Sequence, residues 1–228
     1  MKKILVLTGA GISAESGIKT FRDADGLWEG HDVMEVASPL GWENDKELVL
    51  DFYNQRRKQL LQVKPNAAHY ALVKLQEAYE VEIVTQNIDD LHERAGSKNV
   101  THLHGELLKA RSTFDEDLVM DWKNDIKIGD FCEHNHQLRP HVVWFGEAVP
   151  MFQKAAEIAE TANKVIVIGT SMQVYPAAGL VDFAPHYAPV YFIDPKPNIS
   201  ENKNLEIIRK TAVIGVPQLV ERLLKEEL

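Results

Sequence analysis

The stretch Ile4–Arg22 reads I-L-V-L-T-G-A-G-I-S-A-E-S-G-I-K-T-F-R and decides the fold. It opens with four apolar residues, 4–7, as is typical of a strand buried on both faces of a parallel sheet. Gly9 and Gly11 follow at once, and residues 10–16 are expected to open a helix. Glycines let backbone N–H groups approach a phosphate, and a helix N-terminus favours its negative charge. The stretch therefore predicts a nucleotide-binding turn after the first strand of a sheet.

The glycine pattern does not by itself identify a ligand. Gly9-x-Gly11-x-x-Ala14 satisfies the loose dinucleotide fingerprint, whose third position tolerates alanine. A tight strand-to-helix turn without any ligand gives the same pattern. An acidic ribose partner at the end of a second strand is not evident either, because Asp23, Asp25 and Asp32 fall in a polar stretch without strand character. A dinucleotide bound here need not lie as it does in a dehydrogenase.

Composition narrows the class of protein. With 228 residues, 45% of them hydrophobic and 26% charged, the chain can form one sizeable core, or a large domain carrying a small one. Apolar runs such as Val165–Ile168 are too short to span a membrane, and a strand directly after Met1-Lys2-Lys3 leaves no room for a signal peptide. A net charge of −9 argues against non-specific nucleic-acid binding, and the single Cys132 excludes an internal disulfide. We expect a soluble, cytoplasmic protein.

Strands alternate with helices along most of the chain. Strands are predicted at 81–85, 100–103, 142–145, 164–168 and 190–193, and helices at 44–63, 66–79, 151–162, 176–187 and from Pro217 to about 224. This alternation predicts an α/β fold with a doubly wound parallel sheet. Residues 106–140 are polar and break the alternation, so we expect them to form a small inserted module. The main domain then comprises 1–105 and 141–228, with inserted helices at about 31–65.

Candidate chemical groups follow four of the predicted strands: Gly9–Ser13, Gln86–Asp89, His104 and Gly169–Ser171. The carboxyl ends of parallel strands share one edge of the sheet, where ligands bind at the point at which the winding reverses. Each group alone has an ordinary structural explanation, since Asn87 and Asp89 could cap a helix and His104 could stabilise a turn. Four groups at one edge favour a binding or catalytic site.

Five sequence blocks, in order, resemble the sirtuins, a family of NAD-dependent protein-lysine deacylases. They are Gly9–Gly17 with Thr20–Arg22, Thr85–Asp89 with Leu91–His92 and Ala95–Gly96, His104–Gly105, Val142–Glu147, and Gly169–Ser171. The resemblance implies a Rossmann-like NAD-binding domain, 1–105 and 141–228, plus the small module. It also implies that NAD, as a co-substrate, meets the acyl-lysine of a protein or peptide between the two.

The resemblance also assigns roles to individual residues. The implied cofactor-binding residues are Gly9, Ala10, Gly11, Ser13, Phe21, Arg22, Trp28, Gln86, Asn87, Ile88, Asp89, Gly169, Thr170, Ser171, Asp194 and Ala212. Asn87 and His104 are implied to be catalytic, with His104 as the general base that activates a ribose hydroxyl, since an imidazole pKa suits proton removal near neutral pH. The implied peptide-binding residues, acting by strand addition, are Val143, Phe145, Gly146 and Glu147.

A second pair of residues bears on which acyl group is removed. Tyr53 and Arg56 are three residues apart and share one face of a predicted helix, although the neighbouring Arg57 and Lys58 also fit a solvated face. The Tyr-x-x-Arg pattern resembles class III sirtuins, in which these side chains meet an acidic acyl group. A guanidinium binds a carboxylate with two hydrogen bonds, and Ala37 matches the small residue that widens that pocket. The resemblance therefore implies a preference for succinyl- or malonyl-lysine over acetyl-lysine.

The small module departs from the family in its metal ligands. Most sirtuins hold a structural zinc with two pairs of cysteines. This chain has Cys132 alone, so a four-thiolate site is impossible and we expect a zinc-free module. The less favoured alternative is a site made of Cys132, His134, His136 and a carboxylate, because the spacing is poor.

Two other functions fit the same residues. One is NAD-dependent mono-ADP-ribosyl transfer or NAD hydrolysis. His104 and the Tyr53–Arg56 pair favour deacylation over these reactions. The other is a non-catalytic NAD-binding module whose small domain has decayed. The intact Asn87, Asp89 and His104 argue against it.

Overall fold

Strands and helices alternate in the computed structural model, which describes residues 1–19, 27–172, 175–201 and 203–226. The predicted cofactor residues Phe21 and Arg22 lie outside the described residues. The strands are β1 (Lys3–Thr8), β2 (Leu27–Trp28), β3 (His31–Asp32), β4 (Glu80–Thr85), β5 (Val100–His102), β6 (Gly105–Ser112), β7 (Val119–Asp121), β8 (Leu138–Val142), β9 (Lys164–Ile168), β10 (Val190–Ile193) and β11 (Leu205–Ile208). The α-helices are α1 (Val33–Val36), α2 (Pro39–Asn44), α3 (Lys46–Gln62), α4 (Ala67–Leu75), α5 (Leu91–Ala95), α6 (Phe152–Glu160) and α7 (Ala212–Glu226).

The main sheet has the strand order β11-β10-β9-β1-β4-β5, and every neighbouring pair is parallel. The chain moves outward from β1 through β4 to β5, then returns to the other side of β1 and continues through β9, β10 and β11. The winding therefore reverses beside β1, which is where open α/β sheets bind their ligands. The predicted Rossmann-like, doubly wound α/β fold is confirmed.

Alternating side chains of β1 face the two sides of the sheet. Ile4 and Val6 pack in one apolar cluster with residues of α4 and α7, including Leu72. Leu5 packs in a second cluster with α6, including Ala156. Helices thus cover both faces of the sheet, so its carboxyl edge is where polar groups can meet a ligand. No described helix has both the length and the apolar character needed to cross a membrane.

A small antiparallel sheet, with strand order β7-β6-β8, follows directly after β5. Gly105 starts β6 with φ of +79°, and a Cβ there would lie 2.2 Å from the His141 carbonyl oxygen, so only glycine fits this turn. Residues of the small sheet, such as Leu107 and Leu138, pack in one cluster with Phe52 of α3. The division into a main domain (1–105 and 141–228) and a small module (106–140) remains a proposal.

The predicted helix at 10–16 is wrong in type, since the structure has two 3-10 turns, Ala10–Ile12 and Ala14–Ser16. Gly11 N donates to the Gly169 carbonyl at 2.9 Å, which ties the first turn to the loop after β9. The second turn ends at Gly17 with φ of +102°, a left-handed conformation that stops a helix. The loop is therefore shaped by its neighbour across the sheet rather than by helix propensity.

Other element boundaries also need correction. The predicted strand at 142–145 is wrong, because Phe145 N donates to the Ala37 carbonyl and the strand β8 ends at Val142. The predicted helix at 176–187 is a shorter 3-10 segment, Ala177–Phe183. The last helix starts before Pro217, since Gly215 N already donates to the carbonyl of Thr211 at 2.8 Å. Pro217 is tolerated inside the helix at the cost of one backbone hydrogen bond.

Candidate active site

A cleft of about 1040 Å³ lies at the carboxyl edge of the main sheet. That volume is at the upper end of the range for ligand pockets, which leaves room for a dinucleotide and a second ligand. The described cofactor-site candidates that line it are Gly9, Ala10, Gly11, Trp28, Gln86, Asn87, Ile88, Asp89, Gly169, Thr170, Ser171, Asp194 and Ala212. The catalytic and substrate-site candidates that line it are His104, Ala37, Tyr53, Arg56, Val143, Phe145, Gly146 and Glu147. Ser13 does not line it, but it is buried and its hydroxyl is bonded to Asp89, which does.

The fingerprint glycines bring the ends of β1 and β9 into contact. Gly9 N donates to the Ile168 carbonyl at 3.0 Å. A Cβ on Gly11 would lie 2.6 Å from the Cα of Gly169, so a larger residue would push the two loops apart. Gly169 itself has φ of +60°. The glycines are therefore required for packing at the edge of the sheet, besides any contact they make with a ligand.

Asn87 and Asp89 are buried and joined to the fingerprint loop through Ser13. The Ser13 hydroxyl donates to Asp89 Oδ2 at 2.9 Å, and Asn87 Nδ2 donates to the Gly9 carbonyl at 3.2 Å. Burial raises the pKa of Asp89 to about 6, against the opposing effect of its hydrogen bonds from Leu91 N and Ser13. Hydroxyl and amide groups thus hold a carboxyl whose charge is poorly stabilised without a ligand.

His104 is oriented by a backbone carbonyl. Its Nδ1 lies 3.0 Å from the Gln86 carbonyl oxygen, which can only accept, so Nδ1 carries the proton of the neutral ring and Nε2 keeps its lone pair. Burial lowers the pKa of His104 below its usual 6.5, although the bond to Gln86 acts in the other direction. The imidazole is therefore neutral at neutral pH and suited to accept a proton in the cleft.

Sequence reasoning missed a second histidine that supports the site. His102 Nδ1 lies 3.0 Å from the Asn87 carbonyl oxygen, and its Nε2 lies 2.8 Å from Glu93 Oε1. Burial lowers the pKa of His102, but the hydrogen bond and charge of Glu93 outweigh burial, so the pKa is raised. The His102-Leu-His104 alternation at the end of β5 was the available signal. The pair of His102 and Glu93 holds the backbone that carries Asn87.

The candidates for the adenosine side of the cofactor lie after β9, after β10 and at the start of α7. Asp194 is 1% exposed and its Oδ1 accepts from Lys196 N at 2.8 Å, so the loop after β10 folds over this carboxylate. Thr170 Oγ1 accepts from Gln86 Nε2 at 3.1 Å, which joins the ends of β9 and β4. Thr211 lines the cleft next to Ala212, and its buried hydroxyl has no hydrogen-bond partner in the described ranges.

Tyr53 and Arg56 share the cleft-facing side of α3. Tyr53 is fully buried, and its phenol oxygen accepts from Trp144 Nε1 at 3.0 Å. Burial raises the pKa of Tyr53, so the phenol stays protonated and can still donate. Arg56 Nη1 donates to the Phe52 carbonyl at 3.0 Å, and its guanidinium lies 4.2 Å from the Phe52 ring centroid. A solvated face therefore describes Lys58 on this helix but not Tyr53, and not Arg57, which is 1% exposed.

Trp28 and Ala37 lie on the same side of the cleft as this pair. The Trp28 ring meets Phe52 edge-on with centroids 4.8 Å apart, and meets Tyr53 at 6.0 Å. Ala37 is 4% exposed, and its carbonyl holds Phe145 N at 2.9 Å. Trp28, which the resemblance assigned to the cofactor, thus forms part of the aromatic wall around Tyr53.

The segment after β8 is held mainly by its own protein contacts. The Glu147 carboxylate accepts from Arg139 Nη1 at 2.6 Å and from Trp144 N at 2.8 Å, and lies 3.3 Å from Arg111 Nη2. Val143 N donates to the His104 carbonyl at 2.9 Å. A peptide strand added here must therefore pair with the groups of this segment that are still exposed, such as those next to Gly146.

The three metal-site candidates of the small module are engaged in other contacts. Cys132 Sγ lies 3.3 Å from the Ser112 hydroxyl, and His136 stacks on Phe114 with ring centroids 4.4 Å apart. Among the described residues, no group of three or more His, Cys, Asp or Glu side chains is placed to hold a metal ion. A zinc-free module stays a prediction.

A parallel sheet with a glycine fingerprint, a buried Asn–Asp pair and an oriented histidine defines a dinucleotide-binding α/β protein whose cleft also has room for a second ligand. The model of the Sir2 family matches residues 9–176, more than half of the chain. The chain belongs to this family, the sirtuins, which confirms the resemblance found in its sequence.

Known proteins resemble the chain over nearly its full length. An NAD-dependent protein deacylase of Helicobacter pylori is 55% identical over 226 residues, covering 99% of this chain and 99% of the relative. One of Bacteroides thetaiotaomicron is 48% identical over 231 residues, covering 98% and 99%. A solved Sir2 homologue in complex with NAD has a TM-score of 0.89 at 37% identity, covering 100% of this chain and 91% of that chain.

Proposed function

We propose that this chain is an NAD-dependent protein-lysine deacylase that removes succinyl and malonyl groups in preference to acetyl groups. The products are nicotinamide, O-acyl-ADP-ribose and free lysine. The names of the curated relatives support the reaction. The observation that carries the acyl preference is the placement of Tyr53 and Arg56 in the same cleft as Asn87 and His104. The single Cys132 supports a reducing, cytoplasmic location.

The residues of the cleft fit NAD. The unpartnered Thr211 hydroxyl beside Ala212 offers a hydrogen bond at the adenosine end, and the poorly stabilised Asp89 offers one nearer the centre. Bound NAD supplies an ADP-ribosyl group that takes up the acyl group, with nicotinamide as the leaving group. Ala10 and the fingerprint glycines would hold the pyrophosphate, and Asp194 the adenosine ribose.

The catalytic work of the chain falls to His104 and Asn87. The neutral His104 ring has Nε2 available, so it can take the proton of a ribose hydroxyl and make that oxygen a nucleophile. The side-chain amide of Asn87 is held by the Gly9 carbonyl, and the backbone carbonyl of Asn87 is held by His102. Asn87 can therefore bind the nicotinamide end without a large loss of side-chain entropy.

The acyl group would be selected by charge. Arg56 offers a guanidinium whose Nε has no partner among the described residues, and Tyr53 offers a phenol proton. A succinyl or malonyl carboxylate can accept both, whereas an acetyl group offers no acceptor at its end. A hydrogen bond to a charged group contributes about 1.5–3 kcal/mol, which corresponds to roughly a 10- to 150-fold preference.

Turnover of succinyl- and acetyl-lysine peptides by Arg56→Met tests the proposal. We expect kcat/KM for the succinyl peptide to fall by roughly 10- to 100-fold, while kcat/KM for the acetyl peptide changes by less than about 3-fold. Lys58→Met is the matched control, because Lys58 lies on the same helix, is 61% exposed and pairs with Asp125 at 2.9 Å. The control should change neither rate. An equal loss on both peptides with Arg56→Met contradicts the proposed preference.

A further inference from the structure

The guanidinium of Arg56 already faces a carboxylate of the protein itself. Glu29 Oε2 lies 3.9 Å from Arg56 Nη2, and the side chains are only 13% and 14% exposed. Both line the cleft together with Tyr53. A chain carboxylate thus stands beside the group that the proposed function assigns to the acyl carboxylate.

The backbone at Glu29 is unfavourable for a glutamate. Trp28 pairs with His31, so Glu29 and Gly30 form the two-residue loop between β2 and β3. Their φ angles are +51° and +87°, as in a type I′ turn, where Asn, Asp or Gly is preferred at the first position. A glutamate held in a left-handed conformation is strained, and such strain is concentrated at functional sites. The strained backbone at Glu29 thus points to a role for its side chain in the cleft.

The contact between Glu29 and Arg56 is a weak one. At 3.9 Å the two groups attract each other but do not form a hydrogen bond. Glu29 Oε2 is closer to the ammonium of Lys19, at 3.0 Å, and Lys19 is 69% exposed. The carboxylate can therefore leave Arg56 while it stays paired with Lys19.

We propose that Glu29 is a specificity-determining residue whose carboxylate takes the place of the acyl carboxylate at Arg56 and is displaced by an acidic acyl group. The proposal rests on the proposed function of Arg56. With a neutral acyl group, Glu29 keeps the half-buried guanidinium from standing without a counter-charge, a state that proteins avoid. With a succinyl group, two carboxylates compete for one guanidinium, so Glu29 weakens the binding of acidic substrates and moderates the preference.

The variant Glu29→Gln keeps the size of the side chain and removes its charge. We expect KM for the succinyl peptide to fall by roughly 3- to 10-fold and the ratio of succinyl to acetyl kcat/KM to rise, because the competing charge is gone. In an Arg56→Met background the same change should leave KM for the succinyl peptide unaltered. The matched control is Glu47→Gln, which removes one exposed negative charge from α3 and should alter neither peptide.

A second variant, Glu29→Gly, removes the carboxylate and the backbone strain together. It should lower KM for the succinyl peptide in the same direction and have a higher Tm than Glu29→Gln, because both variants lose the charge but only glycine adopts positive φ freely. A succinyl KM that is unchanged or higher in both variants overturns the role of Glu29. That result, beside a selective loss in Arg56→Met, leaves the proposed function standing, whereas a non-selective Arg56→Met result contradicts the proposed function itself.

Discussion

The carboxyl edge of the main sheet and the proposed acyl pocket, the part of the cleft lined by Tyr53 and Arg56, are built in different ways. At the edge, Asn87, Asp89 and His104 lie in the turns that follow strands, and their partners are backbone groups or the hydroxyl of Ser13. In the pocket, Tyr53 and Arg56 come from a helix, and they meet side chains of a hairpin and of a loop far along the chain. Topology positions the first region, and side-chain packing positions the second.

The two regions also treat charge differently. The buried Asp89 has hydroxyl and amide partners, and burial raises its pKa to about 6. Around the pocket, buried charges are paired with opposite charges, as Arg139 is with Glu147 and Arg56 is with Glu29. The edge therefore favours the arrival of a polar ligand, whereas a ligand entering the pocket must exchange with a partner that is already there.

The largest effect is expected at the edge. His104→Ala should lower kcat by roughly 100- to 10,000-fold for both acetyl and succinyl peptides, because the proposed general base is lost whichever acyl group is bound. Steady-state kinetics with both peptides measures this, and titration with NAD should show that binding persists. His134→Ala, in which an imidazole with a 53% exposed side chain is removed, is the control and should match the wild type. A loss confined to one acyl group would mean that the two regions do not work separately.

The next largest effect is expected when the carboxylate of Glu147, which lines the cleft, is removed. Glu147→Ala leaves Arg111 and Arg139, which are 6% and 9% exposed, without their shared carboxylate. Breaking such a buried pair should lower the free energy of unfolding by about 2–4 kcal/mol, as urea denaturation would measure. Glu116→Ala is the matched control, because Glu116 is 76% exposed and lies 4.0 Å from Arg111. Its stability should differ little from that of the wild type.

The pH dependence of this loss has a defined sign. Burial raises the pKa of Glu147, but the hydrogen bonds from Arg139 and Trp144 outweigh burial and hold the pKa below its usual 4.5. The stability that Glu147 contributes is therefore present above about pH 4.5 and is lost as the pH falls through its folded-state pKa. A stability difference between wild type and Glu147→Ala that grows on acidification would contradict this assignment.

The contrast between the regions also explains what the sequence could predict. The strand ends that carry Asn87, Asp89 and His104 were predicted because each follows an apolar run directly, and parallel topology brings such ends together. The pairs of Glu29 with Arg56 and of Trp144 with Tyr53 were not predicted, since they join residues that are distant in sequence and meet only through packing. Pro217 was misread for a related reason, because tertiary packing of α7 outweighs the signal that proline gives for a helix start.

At the edge, Asp89→Asn should make the ligand-free protein more stable. A carboxyl pKa of about 6 in place of 3.8 corresponds to roughly 3 kcal/mol of disfavoured charge above pH 6. The amide can still accept from Leu91 N but leaves the Ser13 hydroxyl without its acceptor, so the net gain should be about 1–2 kcal/mol. The free energy of unfolding of the wild type falls as the pH rises from about 4 to 6, because the Asp89 carboxyl binds its proton more tightly in the folded state than in the unfolded state.

Denaturation of both proteins at about pH 8 and pH 4 checks this expectation. The gain of Asp89→Asn should be present at pH 8 and small at pH 4, and activity with NAD should fall. A variant that is less stable than the wild type at pH 8 would show that hydrogen bonds, rather than burial, dominate at Asp89.

The smallest effect is expected from Tyr53→Phe in the pocket. Loss of one phenol should lower kcat/KM for the succinyl peptide by roughly 3- to 10-fold and leave the acetyl peptide within about 2-fold. The variant also deprives Trp144 Nε1 of its buried acceptor, so Tm should fall. Comparison of the two peptides at a temperature well below both Tm values separates selectivity from stability. A loss of the same size on both peptides would remove Tyr53 from the acyl-binding group.

Nicotinamide release tests the central claim most directly. It is measured with NAD alone, with NAD and an acetyl-lysine peptide, and with NAD and the matching succinyl-lysine peptide. A deacylase selective for acidic acyl groups should release nicotinamide only with a peptide, and faster with the succinyl one. Equal release without peptide would indicate an NAD hydrolase or ADP-ribosyl transferase, and no release under any condition would indicate a binding module. Either result would contradict the proposed function.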